Sequence, residues 1–167
     1  MASRPPGASL RIHGHGRRGR LSLGPLEPAG ESQVVTIPCR RYQCQVCGAV
    51  ILVVPRTTLA RRWYSASAIA MALALFGAAS LAPAEVRRQI SPFKHVGYAA
   101  TAKWVTLLRW CDAVRAHRLF AETRPCPVSF SRRQVAERAA MALASRAPPP
   151  WDDPTPVRAF HGAAHAA

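Results

Sequence analysis

Ser65-Ala-Ser-Ala-Ile69-Ala-Met-Ala-Leu73-Ala-Leu-Phe76-Gly77-Ala-Ala-Ser-Leu-Ala-Pro83-Ala84 is a run of twenty uncharged residues, bounded by Arg61 and Arg62 before it and by Glu85, Arg87 and Arg88 after it. Its reading decides whether the chain spans a bilayer or folds in water. Length alone permits a span, which needs about 20 apolar residues. Content does not favour one. Nine Ala, three Ser, Gly77 and Pro83 leave six large apolar side chains, worth roughly −2 to −4 kcal/mol on an insertion scale before the polar residues are charged against them. Trp63 and Tyr64 have the character of an interfacial belt, but both flanks are cationic and set no orientation. Read as a helix in water, the same run starts at a Ser65 cap, repeats Ile69, Leu73 and Phe76 at helical spacing, and stops at Gly77. A short Ala-lined helix packed on its neighbours is the expectation, and a small membrane-anchored protein spanning 65–84 is the alternative.

Working outward, Val86 and Ile90 mark a brief second helix over Ala84 to Ile90 that ends before Ser91-Pro92, because proline disfavours helical backbone in its predecessor. Thr101 to His117 forms the clearest amphipathic helix: Trp104, Leu107, Leu108, Cys111 and Val114 share one stripe, with Lys103, Thr106, Arg109 and Arg115 on other faces. Ser131 and Gln134 match a capping box for a last helix ending near Arg146. Toward the N-terminus, Val34 to Ile37 and Ala49 to Val54 are β-branched runs around the Cys44–Gly48 turn, each closed by a proline. The pattern predicts a mainly α fold with a small β-hairpin, in five parts. Residues 1–33 are a flexible basic leader, 34–62 a ribbon-like hairpin, 63–120 a helix-turn-helix three-helix bundle, 121–146 a further helix, and 147–167 a disordered Pro-, Ala- and His-rich tail.

The chain has 167 residues, 23 Lys and Arg against 8 Asp and Glu, and a formal net charge of +15. That balance points to a polyanionic partner or an anionic membrane surface, with double-stranded DNA the favoured partner. Part of it follows from an Ala-, Arg-, Pro- and Gly-heavy composition of the kind a GC-rich coding sequence imposes, so a decayed, nonfunctional reading frame is a third reading. A catalytic site finds little support. The acids are few, and Glu27, Asp152 and Asp153 fall in segments expected to be unstructured, which argues against an acidic two-metal centre. No phosphate-binding glycine loop, nucleophile elbow or metalloprotease helix motif occurs. The protein is expected not to be an enzyme.

Five cysteines, odd in number and unevenly spread, fit a reducing cytoplasm better than a disulfide-stapled secreted scaffold. The basic N-terminus lacks the apolar core of a secretory signal. Cys44 and Cys47, followed by Gly48, form half of a zinc knuckle; Cys39, His13 and His15 are the available completing ligands, and tetrahedral zinc needs four in all. A redox Cys-x-x-Cys should open a helix, and here a β-rich run follows.

Arg40-Arg41-Tyr42-Gln43-Cys44-Gln45-Val46-Cys47-Gly48-Ala49-Val50, Val54-Pro55-Arg56, Tyr64-Ser65-Ala66 and Trp104-Val105-Thr106-Leu107-Leu108-Arg109-Trp110 together resemble bacterial insertion-sequence, transposase-related proteins, over about Ile12 to Trp110. In those proteins a zinc ribbon precedes a helix-turn-helix. The resemblance implies noncatalytic, nucleoid-associated DNA binding with a transposition-related accessory role, a full-length transposase as a further partner, and zinc at Cys44 and Cys47. It departs from the family where the first cysteine pair would stand, at Arg4-Pro5-Pro6-Gly7, and the catalytic core is missing. On this reading Lys103, Thr106 and Arg109 face the DNA groove and Arg61, Arg62, Arg87 and Arg88 contact phosphates.

Overall fold

The computed structural model describes residues 11–94, 97 and 103–166. Three strands, β1 (Ile12–Gly24), β2 (Gln33–Cys44) and β3 (Val50–Val53), form one antiparallel sheet in that order. The described helices are α1 (Ala66–Gly77), α2 (Pro83–Ile90), α3 (Val105–Arg115), α4 (Arg132–Ala144) and α5 (Thr155–Ala166).

Ser65 caps α1 as expected, its Oγ accepting from Ala68 N at 3.1 Å. Ser131 and Gln134 close the reciprocal capping box of α4, each side chain accepting from the other residue's backbone N–H. α1 does not continue far enough to cross a bilayer. Its twelve residues rise about 18 Å against a hydrocarbon core of about 30 Å, and no described helix is long and apolar enough to span a membrane.

Every residue of α1 is buried, and a helix that is apolar all round needs cover on all sides. The cover decides the architecture. α4 and α5 make the most extensive contacts with α1, with α2 and α3 adding smaller ones. A single core runs from Ala66 to Ala163, with Ile69, Leu73, Val86, Ile90, Leu107, Val135 and Leu143 fully enclosed. Alanines at 66, 68, 70, 72 and 74 leave little side-chain bulk on either flank of α1, which lets neighbouring backbones come close. At Gly77 a Cβ would lie 2.2 Å from the backbone N of Glu137, and at Gly162 one would lie 1.8 Å from Leu143 O. α1 ends at Gly77 as expected, but Gly77 serves as a helix-contact residue and not as a left-handed cap; the cap position is Ala78, in right-handed helical backbone.

These observations correct the expected fold. The chain is mixed α/β, 37% helical and 20% strand, and not a mainly α protein with a small hairpin and an independent three-helix bundle. Three physical reasons account for the difference. The first lies in the segment read as a leader, where residues 12–24 form the longest strand. β1 pairs with β2 from Ile12↔Cys44 to Gly24↔Gln33, and a bulge between Gly14 and Arg17 absorbs the register shift where Gly16 takes φ +81°. The Val34–Ile37 run thus pairs with β1, while β3 pairs only with Arg40–Gln43. Pro38 is tolerated in β2 because β3 has already ended there and the strand is single-sided. Second, the tail assigned to disorder carries α5, which buries Ala159, Phe160 and Ala163. Third, the 63–120 segment shares its core with α4 and α5, so no boundary falls near residue 120.

The sheet meets the helices at one seam. Leu23 N donates to Trp63 O (2.8 Å), Ser65 N donates to Leu23 O (3.2 Å), and Leu23 and Tyr64 form a parallel bridge. Gly24, at φ +114°, lies there against Ala68, whose Cβ would be 2.4 Å from any added one. Residues 12–19 of β1 and all of β3 are exposed, Val50, Ile51, Leu52 and Val53 among them.

Candidate nucleic-acid interface

That seam fixes the segment joining β3 to α1. Arg62 N donates to Leu59 O across a turn in which Arg61 adopts φ +58°. From β1, the Arg20 guanidinium donates to Leu59 O (2.5 Å) and Arg62 O (3.1 Å). Two strand hydrogen bonds and one guanidinium therefore hold Arg61, Arg62 and Trp63 against the sheet, beside α3.

The result is one open cleft lined by Arg61, Arg62, Trp63, Tyr64, Thr106, Arg109 and Trp110. A second, of about 450 Å³, shares Arg61, Arg62 and Trp63 and continues over the sheet along Arg18, Arg20, Leu21 and Leu52. A third, again walled by Trp63, runs past Arg87, Phe93 and Lys103 to Thr106. No carboxylate lines any of the three. The acids with ion-pair partners among the described residues lie elsewhere: Asp112 with Arg132 and Glu122 with Arg146, both at 2.9 Å. Hydrogen bonding from Arg132 holds the Asp112 carboxyl below its ordinary range. These two acids thus neutralise Arg132 and Arg146 and none of the cleft cations.

Beneath the cleft, Tyr64, Trp104 and Trp110 pack edge to face, with ring centroids 5.1 Å apart for Tyr64–Trp110 and Trp104–Trp110 and 5.9 Å for Tyr64–Trp104. Trp104 and Trp110 are core, 6% and 3% exposed. The Tyr64 hydroxyl donates to Ser91 Oγ at 3.0 Å, and burial pushes its pKa up against that hydrogen bond and the nearby Arg87 charge. This rigid aromatic base supports the exposed cations above it.

Of the residues picked from the sequence, Arg61, Arg62, Thr106 and Arg109 come together in one cleft, with Lys103 in the adjoining one. Lys103 stands just before α3 and not on it; Thr101 and Ala102, where that helix was expected to begin, lie outside the described residues. Arg87 does not serve as a free phosphate contact. It is buried, its Nη1 donates to Phe93 O at 3.0 Å, and its Nε has no partner. Arg88 is exposed on α2 but lines none of the three clefts. Arg115 points toward the C-terminal region, donating to Phe130 O at 2.5 Å. Sequence reasoning missed Arg18, Arg20 and Trp63 as members of the surface. The alternation Arg18-Gly-Arg20-Leu-Ser-Leu23 carried the strand signal, masked by the glycines around it.

Cys44 and Cys47 do lie at the β2–β3 turn, where Cys44 N donates to Ala49 O and Gly48 N donates to Cys44 O, with Gly48 at φ +70°. The turn has the form of a zinc knuckle that supplies two thiols. Among the described residues no three His, Cys, Asp or Glu side chains gather to hold a metal. Cys39 Sγ instead contacts Ile37 O at 3.6 Å within its own strand. No protein family, curated protein or solved structure matches the chain.

Proposed function

We propose that the chain is a noncatalytic DNA-binding protein, and that its likeness to insertion-sequence proteins reflects a shared accessory role in binding DNA, beside a full-length transposase and at the nucleoid. The observation that carries the reading is the convergence of Arg61, Arg62, Thr106 and Arg109 on one acid-free cleft, continued by Arg18 over the sheet and by Lys103 just before α3. Guanidinium groups without carboxylate partners gain most from phosphate, because binding releases the counterions condensed on the duplex. Arg20 takes a positioning role, since its Nη2 donates to two backbone carbonyls. Bidentate contact to guanine suits Arg109, which is exposed on α3.

The test is the affinity of the full chain for a 20-base-pair duplex, measured by fluorescence anisotropy over a salt series. Log affinity should fall against log salt with a slope of about −0.9 per neutralised phosphate. Replacing Arg61 or Arg62 with Ala should make that slope shallower by about one unit, on every sequence alike. Arg109→Ala should cost about 1–3 kcal/mol and relax the preference at one base position. A salt-independent affinity, or variants that bind as the parent does, would end the proposal.

A further inference from the structure

Trp63 is the feature this reading leaves unused. The residue is 66% exposed although its backbone is held by the Leu23 N–H and lies next to the half-buried Tyr64. The ring is therefore presented by a fixed backbone and not carried on a free loop. It forms a wall of all three clefts, with Arg18, Arg61 and Arg62 on the sheet side and Thr106 and Arg109 on the α3 side. Trp151 is equally exposed, but it lines none of these clefts and its indole N–H donates to Ala147 O.

A large π-face flanked on both sides by unpaired guanidinium groups matches the chemistry of an unstacked nucleotide: the base lies on the ring while the phosphates before and after it meet cations. An intact duplex offers no base face, because every base is stacked on its neighbours. We infer that Trp63 is a stacking platform for one unpaired DNA base, so that the preferred ligand is a duplex interrupted by a short single-stranded gap. This inference rests on the DNA-binding reading and names the substrate class of the same surface. The third cleft adds a second aromatic wall, Phe93, and the Lys103 ammonium.

The experiment compares the full chain on a 20-base-pair duplex and on the same duplex carrying a three-thymidine gap, by anisotropy at fixed salt, for the parent, Trp63→Ala and Trp63→Phe. The gapped duplex should bind about 5- to 150-fold tighter to the parent, the range that one base-on-aromatic stack supplies. Trp63→Ala should lose the preference and bind the two ligands about equally, and Trp63→Phe should restore part of it. Because the ring is exposed, all three proteins should give the same circular dichroism spectrum. Equal binding of both ligands by the parent overturns the stacking inference and leaves duplex binding standing, as does an equal loss on both ligands in Trp63→Ala. No binding of either ligand by the parent overturns both.

Discussion

Gly77→Ala is the substitution whose sign depends on how α1 is covered. In an exposed helix, Ala in place of Gly stabilises by about 0.8–1 kcal/mol. In this protein the added Cβ would meet Glu137 N at 2.2 Å, Glu137 Cα at 2.6 Å and the Ala136 carbonyl carbon at 2.8 Å. All three are backbone atoms of α4, so no side chain can turn aside. Ordinary contact needs about 3.5–4 Å, which requires α4 to retreat by more than about 1 Å from a close-packed interface. Overpacking costs about 1–3 kcal/mol, and an approach this close to rigid backbone belongs at the top of that range. After the helix-propensity gain is subtracted, the net loss is about 2 kcal/mol, a fall in Tm of roughly 4–8 °C for a chain of this length. Urea unfolding followed by far-UV circular dichroism reads it directly. Gly162→Ala should act in the same direction, since its Cβ would lie 1.8 Å from Leu143 O. A stability gain of about 1 kcal/mol in Gly77→Ala would refute the packing of α1 on α4 and restore the picture of an N-terminal bundle closed without the C-terminal helices.

Phe160→Ala should cost about 3–5 kcal/mol by opening a cavity where α5 meets α1, and urea midpoints will report it; an effect below about 0.5 kcal/mol would mean the C-terminal helix does not dock. Burial pushes the Cys111 thiol from 9.0 to about 12, with the Asp112 charge adding to the effect. Its folded pKa lies above the unfolded one, so its contribution is complete below pH 9 and is lost at about 1.4 kcal/mol per pH unit as pH rises toward 12. Stability measured from pH 8 to 11 should therefore fall less steeply in Cys111→Ala than in the parent. Asp112 has the opposite sign: its pKa is lowered by Arg132, so the pair contributes above the ordinary carboxylate pKa and is lost as pH falls below it. Asp112→Asn should flatten the acid limb of the stability profile, weakly and with a smaller difference at high salt, because both partners are solvent-exposed.

The helices with explicit chemical punctuation were legible: Ser65 and Ser131 cap as their sequences require, and Val86 with Ile90 marks α2. What the sequence hid has a common cause in small residues. Gly14, Gly16 and Gly19 dilute the alternation of β1, whose stability comes from pairing with β2 and not from local propensity. In α5 the core stripe is Ala159, Phe160 and Ala163, a pattern with one large side chain that reads as tail until α1 and α4 supply the facing surface. The same applies to Gly77, whose role as a contact residue is invisible without Glu137 opposite it. For the candidate surface, charge identified Arg61, Arg62 and Arg109, but it misassigned Arg87, which Phe93 draws inward. Trp63 resembled a membrane-belt residue only because its neighbours in space, Arg18 and Arg109, are far from it in sequence.

The most direct test of the account is an NMR titration of isotopically labelled full-length protein with the gapped duplex, following backbone amides and the Trp63 indole. The account predicts that shift changes concentrate at Arg18–Arg20, Arg61–Trp63 and Lys103–Arg109, with the Trp63 indole moving most. Changes centred instead on Arg118, Arg124 and Arg138, with the cleft silent, would contradict it.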